Sequence, residues 1–124
     1  MRTGPAVAVD AVLVLVFVLI GRRTHDDPLS LAGLARTAWP FAAGLAVGWA
    51  VTLLRRRPPV ALVTGVTVWL ATVVVGMLLR AASGHGTAAS FVVVATVVLG
   101  AFLVGWRVAV RQFRRDASSS SSAA

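Results

Sequence analysis

Two uninterrupted apolar runs constrain the fold of this chain more than any other feature. Residues 60–79 and residues 87–106 are each twenty residues long and contain no charged residue. The hydrocarbon core of a bilayer is about 30 Å thick and requires about 20 apolar residues in a helix, so each run has the length of one crossing. The composition agrees, because 58% of the 124 residues are hydrophobic and 13% are charged. A soluble chain of this length could not bury so much apolar surface, and we predict an integral membrane protein.

Two earlier stretches extend the pattern of membrane spans. Residues 31–54 are apolar apart from Arg36, and residues 5–21 are apolar apart from Asp10. The stretch at residues 5–21 is the weaker one and leaves two alternatives open. It could be a secretory signal peptide, or a helix in the membrane interface that would leave three spans. No small-x-small cleavage site follows it, so we favour a retained helix that spans the membrane.

The predicted fold is all-α, a compact bundle of four transmembrane helices over residues 1–107. The predicted spans are about residues 5–21, 31–54, 60–79 and 87–106. Ser30 and Thr87 precede the second and fourth spans and are predicted to cap them. Residues 108–124 are basic and then serine-rich, and we expect them to form a cytoplasmic tail that is partly disordered.

The arginines determine the predicted orientation, because all twelve basic residues are arginines. One side of the predicted bundle carries eight of them: Arg2, Arg55, Arg56, Arg57, Arg107, Arg111, Arg114 and Arg115. The other side carries three: Arg22, Arg23 and Arg80. Arginine-rich loops stay in the cytoplasm, so we predict a multi-pass protein of the inner (plasma) membrane with both termini cytoplasmic.

Four groups of residues carry a resemblance to a known family. They are FVLIGRRTH at residues 17–25, TAWPF at 37–41 with Gly44 and the pair Gly48-Trp49, VW at 68–69 running through Thr72 to GMLLR at 76–80, and GHGT at 84–87 running through SF at 90–91 to GWR at 105–107. Together they resemble the bacterial domain-of-unknown-function family 3054 over about residues 6–107. The resemblance implies a small multi-span membrane protein without an assigned activity, and it adds no mechanism.

Asp10 and Arg36 are the ionisable residues inside the predicted spans. Such groups cost roughly 2.5–3.5 kcal/mol at the centre of a span and are candidates for functional residues. At 1.5 Å per residue their levels differ by roughly 13 Å, which is too far for a direct salt bridge. Arg36 is interpreted as a snorkelling arginine with Trp39 as its interfacial anchor, and the alternative is an anion contact on the outer side.

The fourth span suggests a partner for Asp10. A stripe of residues at helical spacing ends in an arginine: Ala89, Val93, Thr96, Gly100, Leu103 and Arg107. Arg107 ends the fourth span on the predicted cytoplasmic side, which is the side where the first span, with Asp10, begins. We therefore predict that the first and fourth helices pack antiparallel with Asp10 within reach of Arg107, directly or through water. Asp10 is then a structural ion pair or an interfacial residue, and the alternative is a proton or ligand site.

Small residues in the spans predict where helices meet. Gly44 and Gly48 form a G-x-x-x-G in the second span, which permits close approach to another helix within the bundle or across a dimer. Gly65 and Gly76 share a face of the third span, and Gly100 lies on the stripe of the fourth. Thr72 and Thr96 are grouped with Asp10, Arg36 and Arg107 as a candidate intramembrane polar site.

The sequence contains no pattern that indicates catalysis. It has no cysteine, and His25 and His85 lie in predicted outer loops without a zinc-ligand spacing. We expect no catalytic residues, no metal, no cofactor and no nucleic-acid partner, and we expect contact with the lipid bilayer. Two hypotheses follow: a non-catalytic subunit or interaction partner that assembles as a homodimer or with another membrane protein, or a small oligomeric transporter or channel that uses Asp10.

Overall fold

The computed structural model describes residues 2–23, 27 and 29–123, with side chains described as far as residue 117. Within these residues every regular element is a helix: α1 (Thr3–Arg22), α2 (Leu31–Leu54), α3 (Leu62–Ala82), α4 (Ala89–Leu103) and α5 (Gly105–Ala123). In the described part of the chain, four stretches are long and apolar enough to cross a membrane: α1, α2, α3 and Ala89–Ala117, which covers α4 and most of α5. The predicted all-α fold is therefore confirmed, with four helices of the length and apolar composition that a membrane crossing requires. His25 lies outside the described residues.

The four apolar helices pack as a bundle in which each helix contacts two others. The most extensive contact joins α2 to α3, and α1 packs against α2 and α4, while α4 packs against α3. Consecutive helices are joined by short connections, which favours antiparallel neighbours. The N-terminal half of α1 consequently lies beside the C-terminal end of α4, as the sequence analysis predicted.

The helix ends differ from the prediction at one cap. Ser30 caps α2 as predicted, because its Oγ accepts a hydrogen bond from the backbone N–H of Gly33 at 3.1 Å. Thr87 does not cap α4, and that prediction was wrong. The capping position is Ala88, which makes no side-chain hydrogen bond. The first turn of α4 therefore begins without the stabilisation that a hydroxyl supplies.

The chain remains helical beyond the predicted end of the fourth span. α4 ends at Leu103 and α5 runs over Gly105–Ala123, where the sequence analysis expected a partly disordered tail. Backbone hydrogen bonds from Val104 N to Gly100 O at 3.0 Å and from Val108 N to Val104 O at 3.1 Å cross the junction. The early part of α5, residues 105–115, contains four arginines, an alanine and a glutamine, which favour helix, so the helical pattern continues from the membrane span.

Two layers of side chains fill the bundle at different depths. One layer consists of the aromatic rings of Phe17, Phe41 and Phe91, whose centroids lie 5.3 to 6.4 Å apart and which join α1, α2 and α4. The other layer contains Asp10 and Arg107, both fully buried. The polar layer lies towards the end that carries the chain termini, which is the predicted cytoplasmic side.

Candidate functional site

The polar layer is built on a buried ion pair between Asp10 of α1 and Arg107 of α5. Arg107 Nη1 donates to Asp10 Oδ1 at 2.9 Å, and Arg107 Nη2 donates to Asp10 Oδ2 at 2.8 Å. Both side chains have zero exposed surface. This two-point geometry matches the planar guanidinium to the planar carboxylate and is the strongest form of such a pair. The structure thus places Asp10 in direct contact with Arg107.

Two tryptophans complete the surroundings of the carboxylate. Trp49 Nε1 of α2 donates to Asp10 Oδ2 at 2.9 Å, and Trp106 Nε1 of α5 donates to Asp10 Oδ1 at 2.8 Å. Each carboxylate oxygen therefore accepts two hydrogen bonds, and together these use the roughly four lone-pair positions that a carboxylate offers. Asp10 is the point at which α1, α2 and α5 are joined by polar contacts.

Arg107 is held by groups other than Asp10. Its Nε donates to the carbonyl of Pro59 at 3.0 Å, and its Nη1 also donates to the carbonyl of Leu103 at 2.8 Å. Its guanidinium carbon lies 4.6 Å from the ring centroid of Trp106 and 5.8 Å from that of Trp49, within range of a cation–π interaction. The side chain is consequently fixed in position, and it links α5 to the connection between α2 and α3.

Gly65 of α3 provides the space that Arg107 occupies. A Cβ at Gly65 would lie 2.9 Å from Arg107 Cδ and 3.4 Å from the carbonyl oxygen of Leu103. A side chain at this position would displace an arginine that four hydrogen bonds hold in place. Gly65 therefore belongs to the site as well as to the contact between α3 and the C-terminal end of α4.

This arrangement pairs two opposite charges in apolar surroundings. Among the described residues, no buried side-chain nitrogen or oxygen lacks a hydrogen-bond partner. A buried ion pair is stable only when its geometry is good and its remaining donors and acceptors are used. The site meets both conditions, and its ion pair joins α1, α2 and α5 to the connection between α2 and α3.

The other predicted polar residues do not join this site. Thr72 and Thr96 donate their hydroxyl protons to carbonyls one turn earlier in their own helices, those of Val68 and Val92, each at 2.7 Å. Arg36 lies at the opposite end of the bundle, where it lines a cavity. Threonine in a helix commonly bonds to its own backbone, which explains why these hydroxyls need no partner on another helix.

The five glycines predicted to mark helix contacts all lie against neighbouring helices. A Cβ at any of them would come closer than 3.0 Å to an atom of another helix: Gly44, Gly48, Gly65, Gly76 and Gly100. The first two face the α3 backbone at Thr72 and Val68. The G-x-x-x-G therefore forms a contact within the bundle, between α2 and α3.

Two residues of the site, Trp49 and Trp106, were not identified from the sequence. Trp49 lies five residues before the end of α2, about 8 Å deep at 1.5 Å per residue, which is close to the depth predicted for Asp10. An indole is a hydrogen-bond donor only, so it suits an intramembrane carboxylate. A comparison of donor depth with acceptor depth would have indicated Trp49. Trp106 is adjacent to Arg107, but which way its ring turns depends on the packing of α5.

The fold and the site define a class, a small all-α protein with four helices long and apolar enough to cross a membrane and with a buried ion pair between its first and last helices. The family model described as "Protein of unknown function (DUF3054)" matches residues 7–110. The match covers most of the chain, and the chain belongs to this family. No curated protein and no solved structure gives a significant match to the chain. The function is therefore argued from the site itself.

Proposed function

We propose that the protein is a non-catalytic membrane protein that acts as a subunit or interaction partner in the plasma membrane, with Asp10 and Arg107 as its internal structural connection. The observation that carries this proposal is the saturation of Asp10. Both oxygens accept two hydrogen bonds each, from Arg107, Trp49 and Trp106. A carboxylate that exchanges protons or ligands needs an oxygen that faces water or a substrate, and here both oxygens face protein donors.

The geometry gives less support to a transporter or channel that uses Asp10. Asp10 has no exposed surface, and it lines neither of two cavities of about 470 Å³ in the described part of the chain. A transport path through this carboxylate would require Arg107 and both indoles to move away together. Because Arg107 is also bonded to the carbonyls of Pro59 and Leu103, that movement would break contacts to two further segments.

A proton-flux measurement separates the two functions. The full chain is reconstituted in liposomes that contain a pH-sensitive dye, and a pH gradient and membrane potential are applied to wild type and Asp10→Asn. We expect wild type to give the flux of empty liposomes and Asp10→Asn to lower thermal stability in detergent without changing the flux. A wild-type flux that Asp10→Asn abolishes at unchanged stability would overturn the proposal.

Assembly is measured separately on wild type. Light scattering after size exclusion in a mild detergent gives the protein mass of each complex, and we expect either two copies of the chain or the chain with a second membrane protein at a fixed ratio. In the stability measurement described above, the matched control for Asp10→Asn is Arg23→Gln, which changes an exposed residue outside the ion pair. A strictly monomeric chain in both detergent and native membrane extracts would contradict the subunit proposal.

A further inference from the structure

A second polar region lies at the end of the bundle away from Asp10. It is a cavity of about 470 Å³ whose walls come from α1, α2, α3, the α3–α4 connection and the start of α4. Its charged and titratable lining residues are Arg22, Arg36, Arg80 and His85. A cavity of this volume falls in the range of small-molecule sites, about 300–1,000 Å³.

Three different helices each contribute one arginine to this cavity, and the described lining contains no carboxylate. Positive charges gathered around one cavity create a potential that attracts an anion. Arg22 is the fixed member, because its Nη1 donates to Thr37 Oγ1 at 3.1 Å and its Nη2 donates to the carbonyl of Asp27 at 3.2 Å. Its side chain is therefore held in a fixed position at the cavity wall.

Arg80 is held in place with part of its guanidinium still available. Its Nε and Nη2 both donate to the carbonyl of Gly86, at 3.1 and 2.8 Å, and its guanidinium carbon lies 4.4 Å from the ring centroid of Phe91. Its Nη1 makes no hydrogen bond to any described residue. Such a restrained arginine loses little conformational entropy when it binds an oxyanion, which favours affinity.

Arg36 is the member of the set without a partner among the described residues. It is exposed, and among the described residues it makes neither a hydrogen bond nor an ion pair, although it lines the same cavity as Arg80. Its five N–H donors are therefore available to a ligand. The remaining wall is partly apolar and includes Phe17, Val18 and Phe91.

We propose that this cavity binds a phosphate-bearing ligand, with Arg36 and Arg80 donating to the phosphate oxygens. Arginine matches phosphate because its planar fork donates two parallel hydrogen bonds to two oxygens. The apolar part of the lining suits a ligand in which the phosphate is attached to an organic group. Both a phospholipid headgroup at the membrane surface and a soluble phosphate monoester have this chemistry, and the experiment distinguishes them.

The binding test uses the full chain in alkyl maltoside micelles, which contain no phosphate. In one arm, glycerol 3-phosphate is titrated calorimetrically, and in the other arm short-chain phosphatidylglycerol is added, with diacylglycerol as the uncharged counterpart. The variants are Arg36→Gln and Arg80→Gln. Arg23→Gln is the matched control, because Arg23 is exposed and does not line the cavity.

We expect saturable binding in at least one arm, weakened about tenfold or more by Arg36→Gln and by Arg80→Gln and unchanged by Arg23→Gln. Binding of phosphatidylglycerol alone identifies a lipid headgroup, and binding of glycerol 3-phosphate identifies a soluble ligand. Absence of binding in both arms overturns the proposal, and so does an equal loss in all three variants, which indicates non-specific charge attraction. Arg36→Gln breaks no described contact, so it tests the proposal even if Arg80→Gln does not fold.

Discussion

The side chain of Asp10 is fully buried in a mostly apolar bundle. The residues around it explain how the fold accommodates a buried carboxylate. Two hydrogen bonds from Arg107 and one from each of Trp49 and Trp106 replace the water that a carboxylate would otherwise bind. Hydrogen bonds to a charged group contribute about 1.5–3 kcal/mol each, and an unpaired charge at this depth costs several kcal/mol. The stability of the site therefore depends on all four donors together.

The first prediction concerns the indole donors. Trp49→Phe and Trp106→Phe keep an aromatic ring but remove the N–H that Asp10 accepts, and each is expected to lower the free energy of unfolding by about 2 kcal/mol. Detergent-denaturant titration of the purified protein measures this change. Trp39→Phe is the control, because Trp39 is 44% exposed and makes no bond to Asp10, so it should leave the unfolding free energy nearly unchanged. Equal effects at all three positions would contradict a specific role for the indole N–H groups.

Part of the site follows from the sequence at the scale of single residues. The pairing of Asp10 with Arg107 follows from depth and from the end of the bundle at which each residue lies. The roles of Trp49 and Pro59 do not follow from the sequence. The position of the Pro59 carbonyl and the orientation of the Trp49 indole depend on how three helices pack against one another. The aspartate and arginine are rare in apolar runs and so are conspicuous, whereas their neutral partners are not.

At the scale of helices, the close approach of α2 and α3 depends on positions without side chains. A Cβ at Gly44 would lie 2.8 Å from the carbonyl oxygen of Ala71 and 2.8 Å from Thr72 Cα, and one at Gly48 would lie 2.9 Å from Val68 Cα. These are backbone atoms, so no side-chain rotation relieves the contact. Helices that pack at this distance gain dispersion contacts along their length, which is the main attraction available in a membrane.

The second prediction compares two glycine substitutions. Gly44→Ala should destabilise the protein by about 1–3 kcal/mol, because α2 and α3 must move apart to admit the methyl group. Gly21→Ala should be neutral or stabilising by up to about 1 kcal/mol, since nothing lies within 4 Å of a Cβ there and alanine favours helix. Unfolding free energies from the same titration test both. Gly44→Ala as stable as Gly21→Ala would mean that this contact is not close in the membrane.

The rotation of α4 about its own axis does not follow from the sequence pattern. The predicted stripe included Val93, which is 61% exposed, while Ala95 and Leu99 are fully buried. A repeat that averages 3.5 residues drifts by about 20° per heptad around a straight helix, so a stripe that is correct at Arg107 leaves the core further up the helix. The length and position of the spans follow from composition, but the rotation of a uniformly apolar helix requires its neighbours.

At the scale of the whole molecule, the two polar regions lie at opposite ends of the bundle. The ion pair of Asp10 and Arg107 is buried at the end with the chain termini, and the arginine-lined cavity is at the other end. The aromatic layer of Phe17, Phe41 and Phe91 lies between α1, α2 and α4 and borders the cavity. The two regions therefore have separate proposed roles. The ion pair holds the helices together, and the cavity is the proposed binding site.

The third prediction is the orientation. The arginine distribution predicts that both termini face the cytoplasm, and this end of the molecule includes the loop of Arg55, Arg56 and Arg57. A reporter that is active only in the cytoplasm should be active when fused after Ala124, and a reporter that is active only outside should be inactive there. A fusion after His85, in the connection between α3 and α4, should give the opposite result. The reverse pattern would place the arginine-lined cavity on the cytoplasmic side.

The central claim is that Asp10 and Arg107 stabilise the bundle as one unit, and a double-mutant cycle tests it most directly. Unfolding free energies are measured for Asp10→Asn, Arg107→Met and the double variant, with Arg111→Met as the control on the exposed part of α5. We predict a loss of about 3–5 kcal/mol for each single variant, because each leaves a buried group without its partner. We predict no greater loss for the double variant, and almost none for Arg111→Met. Losses from the two single variants that add in the double variant would contradict the claim, because they would show that the residues contribute independently.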